Sequence, residues 1–287
     1  MRTNEDLKQI AIDTIKILKS GKYTVDKKEI DIKDILIKCI LNTTLFQLDS
    51  EELKRRLLKV IVIKKPDGFK PKPPILLVTN KTSIETILES DEKLAVLNFA
   101  SAKNPGGGFL HGAMAQEETL TRSSGLYPSL LKFQKEYYDF HVNRKSIFYS
   151  HRIIISPDCV LIKNDVGELL KEPKLVSFIT CAAPKCVDLS PIFTTDKTLE
   201  LEQTIQTIVH RRIFRILSAM YLDGYENIVL GAWGCGVFRN NPYDVAESFR
   251  YHLAHTFDGK FKRIIFPIPI GKNDKNNEIF REVLLGK

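Results

Sequence analysis

The sequence predicts an α/β fold: a three-layer α/β/α sandwich with a mixed sheet and a helical amino-terminal extension. Three observations lead there. Short apolar runs of strand length alternate with stretches of helical period through most of the chain. Two of those runs end in glycine-rich loops that open toward helical stretches, the place where open α/β sheets bind ligands. Residues 4–57 carry helical patterns.

In order along the chain, Ile10, Ile12, Ile15, Ile17 and Leu18 give the first helical pattern. Ile35, Leu36, Cys39 and Ile40 give the second, and Leu53, Leu57 and Leu58 a third within a charged stretch. We therefore expect residues 1–58 to be an extension packed on the core and residues 59–287 to be the main domain. Lys64 to Pro74, rich in lysine and proline, reads as a solvated, stiffened loop. Strands are expected at 60–63, 75–79, 94–100, 152–156, 159–162 and 175–181, with a short helix over 83–90. The clearest helix spans 198–222, with Leu201, Ile205, Ile208, Val209, Ile213, Ile216, Leu217 and Met220 on one core-facing stripe. A strand at 228–231, a helix over 243–255, a strand at 263–267 and a helix over 277–285 complete the chain, which shows no internal repeat.

Composition narrows the function classes. With 287 residues and 43% apolar content, the chain can bury a sizeable core. No run approaches the roughly eighteen continuous apolar residues of a membrane-spanning helix. Met1 to Asp6 lacks the pattern of a secretory signal. The expected protein is soluble and intracellular, cytoplasmic or, in a eukaryote, nuclear. Five cysteines without paired CxxC spacing indicate reduced thiols. Cys181 and Cys186 flank Pro184, and His252 and His255 share a helix face, but no complete metal-ligand set is visible. The net charge of +8 is spread along the chain and would draw a polyanionic ligand.

The chemistry concentrates at two loops. The apolar run at 94–100 ends in Ser101-Ala102-Lys103-Asn104-Pro105, and Gly106-Gly107-Gly108 follow. Three glycines admit positive φ and a close backbone approach to a ligand, and successive N–H groups in such a turn can converge on phosphate oxygens. Gln116-Glu117-Glu118 then opens a helix, placing two adjacent acids at the loop–helix junction. Each feature alone has a plain structural meaning, a turn or a charge complementing the helix dipole. Together they point to glycosidic chemistry on a diphosphate-bearing ligand. The second loop, Gly231-Ala232-Trp233-Gly234-Cys235-Gly236-Val237-Phe238, again follows an apolar run and precedes a helix. Its glycine order fits neither the dinucleotide fingerprint nor a P-loop.

These two motifs resemble the microbial (bacterial-type) poly(ADP-ribose) glycohydrolases of the macrodomain superfamily, and the similarity extends over most of the chain. The resemblance implies a macrodomain-like catalytic domain over 59–287 that hydrolyses the ribose–ribose O-glycosidic bond of poly(ADP-ribose) and releases ADP-ribose. It places the general acid on Glu118, with Glu117 positioning ribose hydroxyls and Gln116 fixing the pair. Asn98 and Asn104 would contact the distal ribose and strand end. Gly106, Gly107 and Gly108 would line the diphosphate and ribose. Gly234, Cys235, Gly236 and Val237 would form the second diphosphate loop, with Phe238 over the ligand. His111 reads as a loop histidine, and nothing beside Cys235 activates its thiol. The partners implied are poly(ADP-ribose) or ADP-ribosylated macromolecules, for a monomer with no cofactor, no metal and no membrane. Three alternatives remain open: a hydrolase removing single ADP-ribose units from protein or nucleic acid, a non-catalytic ADP-ribose-binding domain, and a nucleic-acid-binding protein, which rests on charge alone. The acid pair argues against the second, since binding needs the glycine loops but no acid.

Overall fold

The structure, a computed structural model, describes residues 2–46, 55–56, 58, 73–144, 146–186, 198–271 and 275–287. The strand expected at 60–63, most of the loop from Lys64 to Pro74, and Leu53 and Leu57 lie outside the described residues.

In chain order the elements begin with helix α1 (Asn4–Ser20), strands β1 (Lys22–Val25) and β2 (Lys28–Asp31), helix α2 (Lys33–Asn42) and strand β3 (Thr44–Phe46). Strand β4 (Ile75–Thr79), helix α3 (Ser83–Leu88), strand β5 (Leu94–Phe99) and helices α4 (Gln116–Ser123), α5 (Leu126–Leu131) and α6 (Phe140–Arg144) follow. Then come strands β6 (Ile153–Lys163) and β7 (Leu169–Cys181), helix α7 (Thr198–Leu222), strand β8 (Asn227–Val229) and helix α8 (Pro242–Ala254). Strand β9 (Arg263–Pro267) and helix α9 (Asn276–Leu285) end the chain, and a 3-10 turn spans Phe109–His111. The fold is mixed α/β with mostly parallel strand pairs.

The chain forms two compact units. The first combines Met1–Leu45, Thr82–Arg144 and Ile154–Cys181. Helix α1 starts on a capping box, in which the Thr3 hydroxyl accepts from the Asp6 N–H while the Asp6 carboxylate accepts from Thr3. It stops at Gly21, whose φ of +73° closes the last turn. The next residues correct the all-helical expectation for 4–57, because β1 and β2 pair as an antiparallel hairpin. Tyr23, on the hairpin, packs with Ile32, Leu36, Val160 and Ile162 in one buried cluster. Asp26 and Lys27 turn the hairpin at positive φ without a glycine, so the usual sequence signal for such a turn is missing. Strand β5 pairs parallel with β7, and β6 pairs antiparallel with β7. The runs expected at 152–156 and 159–162 are one strand, whose register shifts between Ser156 and Cys159.

The second unit combines Phe46–Lys81, Lys145–Ile153 and Ala182–Lys287. Here β9 pairs parallel with both β4 and β8. Of the stripe expected from its period, helix α7 buries Ile205, Val209, Ile213, Ile216, Leu217 and Met220 and leaves Leu201 and Ile208 half-buried. Helix α8 begins with Asn241 capping the Tyr243 N–H and Pro242 in the first turn. Phe249 meets Phe266 edge to face and Phe266 meets Phe280 at a tilt, with ring centroids 5.3 and 5.8 Å apart. Among the described residues, no helix is long and apolar enough to cross a membrane.

Candidate active site

The first glycine loop and the acid pair belong to the first unit. Gln116, the first residue of α4, pins the helix to the end of β5. Its amide oxygen accepts from the Phe99 N–H at 2.9 Å, and its amide nitrogen donates to the Leu97 carbonyl at 2.8 Å and to Ser83 Oγ at 3.2 Å. The side chain thus pairs with strand backbone as a neighbouring strand would. It steadies the acids by fixing their helix.

Glu117 is buried at 3% exposure. One carboxylate oxygen accepts from the Ser101 N–H at 2.6 Å and the other from Asn98 Nδ2 at 3.3 Å. Burial pushes its carboxyl up to about 8, and the neighbouring Glu118 adds to the rise, while donors from Ser101, Asn98 and Gly106 oppose it. Asn98 also donates to Thr180 Oγ1 at 3.2 Å, and its buried Oδ1 has no hydrogen-bond partner among the described residues.

Glu118 is half-buried, and its Oε1 accepts from the Gly108 N–H at 3.0 Å. Gly106 and Gly107 have φ of +71° and +62°. A Cβ on Gly107 would collide with Glu118 Oε1 and come within 3.1 Å of Glu117 Oε2. Gly107 is therefore glycine because two carboxylates fill the space a side chain would occupy, while Thr121 crowds Gly106 and Ala113 crowds Gly108. Its N–H groups differ from the phosphate cradle expected from sequence. Gly108 faces Glu118, Gly106 faces Glu117, and Gly107 donates to the Asn104 carbonyl at 2.9 Å. Asn104 is exposed at the outer edge of this turn, where its own N–H donates to Ser101 Oγ at 3.1 Å. His111 is exposed.

The second loop lies in the second unit. It leaves β8 through Gly231 and Gly234, which have φ of +139° and +77°. Trp233 is fully buried beneath it. Asn240 holds the loop from inside, donating to the Gly234 carbonyl at 3.0 Å and the Pro184 carbonyl at 2.9 Å. The N–H groups of Gly236, Val237 and Phe238 find no acceptor among the described residues, so this turn presents donors of the kind an anion takes. Cys235 Sγ faces the Trp233 carbonyl at 3.7 Å. The Phe238 ring lies 6.2 Å from that of Tyr149, itself held at φ +55°.

The family model for the microbial-type PARG catalytic domain matches residues 11–164. The chain belongs to the microbial-type poly(ADP-ribose) glycohydrolase family. A solved poly(ADP-ribose) glycohydrolase from Thermomonospora curvata is 34% identical, with a TM-score of 0.86 over 97% of this chain and 99% of that one. The same bacterium's glycohydrolase bound to the inhibitor ADP-HPD is 33% identical, with a TM-score of 0.84 over the same shares. A Deinococcus radiodurans glycohydrolase in complex with ADP-ribose is 32% identical, with a TM-score of 0.74 over 88% of this chain and 97% of that one. Comparison with curated protein sequences gave no match. The fold is thus macrodomain-like, and this glycohydrolase is an enzyme of the glycosidase class.

The structure brings Asn98, Gly106, Gly107, Gly108, Gln116, Glu117 and Glu118 together in the first unit, and Gly234 to Phe238 in one turn of the second. Sequence reasoning missed the residues that hold them: Ser101, Thr180, Asn240 and, one helical turn after Glu118, the buried Arg122. The spacing from Glu118 to Arg122 is a readable signal, because residues four apart share a helix face.

Proposed function

We propose that this glycohydrolase cleaves the ribose–ribose bond of poly(ADP-ribose) with Glu118 as general acid, releasing ADP-ribose. The observation that carries the reading is the pair itself: adjacent carboxyls on the first turn of α4, one buried and the other half-buried on the Gly108 N–H. Cleavage passes through an oxocarbenium-like state, so the leaving oxygen needs a proton as its bond breaks. Glu118 supplies that proton. The bond's electrons stay with the leaving ribose oxygen, and water adds its hydroxyl to the anomeric carbon, its other proton going to the carboxylate left on Glu118.

Glu117 plays the complementary part. With burial holding its carboxyl up to about 8, it is uncharged at neutral pH, so the pair does not place two negative charges beside a diphosphate. An uncharged carboxyl both donates and accepts, which suits it to ribose hydroxyls. The orphaned Asn98 Oδ1 adds an acceptor next to it. In this reading the second loop takes the diphosphate on its open N–H groups and Phe238 covers the ligand. In this reading the amino-terminal helix α1 is an extension built into the working unit, since it packs on both the 3-10 turn and α4.

The test compares wild type and Glu118→Gln on poly(ADP-ribose), measuring ADP-ribose release and ADP-ribose binding. Release by wild type alone, with binding kept in the variant, is the expected result. Chain shortening by the variant would remove Glu118 from the acid's role.

A further inference from the structure

We propose that Arg122 is a positioning residue for this reaction: its buried guanidinium locks the segment entering the acid's helix and favours the carboxylate that Glu118 becomes once its proton has left.

Arg122 is 3% exposed on α4, one turn beyond Glu118. Its guanidinium donates to the Ala113 carbonyl at 2.5 Å and to Thr119 Oγ1 at 3.2 Å. Both acceptors are neutral. Taking a guanidinium out of water is costly unless an opposite charge answers it. Burial pulls the guanidinium's proton affinity down, and the charge that opposes this is Glu118. The bond to Ala113 ties the strand-to-helix connection down just before Gln116, so the arginine fixes both the acid's place and its field.

The arginine's own backbone is held from behind. Thr14 of α1 donates its hydroxyl to the Arg122 carbonyl at 2.5 Å. Lys163, at the end of β6, donates to the same hydroxyl at 2.8 Å and to the Ile10 carbonyl at 3.0 Å. Thr14, Arg122 and Lys163 are each at most 3% exposed. A buried brace therefore runs from β6 through α1 to the acid's helix.

A general acid works best when the charge it gains on donation is stabilised, because a stronger acid gives up its proton in the transition state more readily. An opposite charge one helical turn away supplies that stabilisation without touching the substrate. Besides Asp6, Lys19 and the Lys8–Glu5 and Lys16–Asp13 pairs of α1, the titratable groups on elements packed against α4 are Glu117, His111, Glu85 of α3 and Tyr127 of α5, with Lys163 behind Thr14. All of them stay in place when Arg122 alone is changed.

The inference rests on the reading of Glu118 as general acid, and the experiment separates the two. Wild type, Arg122→Gln, Arg122→Lys and Glu118→Gln are compared for kcat against pH on poly(ADP-ribose), ADP-ribose Kd and thermal midpoint. In Arg122→Gln, kcat falls at least about tenfold with Kd within about threefold, and the alkaline fall in kcat moves up by about one pH unit. Arg122→Lys keeps the charge and keeps that limb in place, with a reduced kcat. A folded Arg122→Gln whose alkaline limb does not move overturns the proposal, as does a loss confined to Kd and thermal midpoint. Where Arg122→Gln does not fold, Arg122→Lys decides: a limb that moves despite the retained charge overturns it. Chain shortening by Glu118→Gln would instead sink the underlying reading, whatever the arginine variants do.

Discussion

The space that a Cβ on Gly107 would need is filled by Oε1 of Glu118. The loop and the acid are therefore one unit, in which the backbone gives up a side chain so that the carboxylate can lie against it and take the Gly108 N–H. Gly107→Ala must both displace that carboxylate and strain a residue at φ +62°. We expect kcat to fall by about a hundredfold or more, since small misplacements of a reacting group carry penalties of that order. ADP-ribose release assayed beside a folding midpoint checks this, and a variant with near-native kcat would refute it.

Glu117 makes stability depend on pH with a definite sign. Its carboxyl is held up to about 8 in the folded protein against an ordinary 4.5, so the folded state binds the proton more tightly. Its contribution is fully present below about pH 4.5 and is lost as pH rises through 8, by on the order of 5 kcal/mol. Glu117→Gln is isosteric and does not titrate. Denaturation at steps from pH 5 to 9 should show the variant's stability falling less steeply than wild type's, and parallel curves would show that Glu117 does not carry the effect.

Asn240 is the internal tie of the second loop, bonded to the carbonyls of Gly234 and Pro184. Asn240→Ala takes its side-chain donor from the buried Pro184 carbonyl, while the Gly234 carbonyl keeps the backbone N–H of residue 240, which destabilises by about 1–3 kcal/mol. If this loop carries the diphosphate, ADP-ribose Kd rises about tenfold, as loosening of a preorganised site predicts. Calorimetric titration decides it, and an unchanged Kd would take the loop out of ligand binding.

His252 sets the acid side. Burial pushes it down to about 4, with the nearby His210 adding to the fall, while its Nε2 bonds to the His210 carbonyl at 3.0 Å. Its contribution is present above the ordinary value of 6.5 and is lost as pH falls through 4, amounting to up to about 3 kcal/mol. His252→Gln should unfold less steeply with acid than wild type between pH 6.5 and 4. Equal slopes would count against it.

Much of the fold is legible where one physical signal dominates. The helix at Thr198–Leu222 and the strands at Ile75–Thr79 and Arg263–Pro267 emerge with the expected bounds, because an apolar stripe or a β-branched run there leads to a clear stop. The β1–β2 hairpin is hidden, since the exposed Asp26 and Lys27 take the positive φ of its turn where a glycine would have signalled it. The break read between 156 and 159 is a bulge in one strand: Pro157 suggests an end, yet Asp158 turns at φ +48° and its N–H bonds Ser177 Oγ at 3.0 Å. The region after α4 carries no clean period. Pro128 sits inside α5, and the aromatic run at Gln134–Asp139 winds as a π turn with Tyr137 and Tyr138 buried.

At the site, the residue types were readable and their partners were not. A glycine triplet and two acids announce themselves, but sequence cannot say that the triplet's N–H groups face carboxylates, because that depends on how α4 sits against β5. Nor does it show that a threonine in the first helix holds the acid's helix from 108 residues away.

That last distance bears on how the protein is made. Thr14 emerges from the ribosome early, Arg122 long after it, and Lys163, 149 residues beyond Thr14, later still. Loop closure over such separations is slow compared with helix formation. The nascent chain can wind α1 and α4 locally, yet the brace behind the acid cannot close until β6 has been completed. Translation order itself thus delays completion of the brace, and a fragment ending before Lys163 lacks the ammonium that backs the Thr14–Arg122 contact.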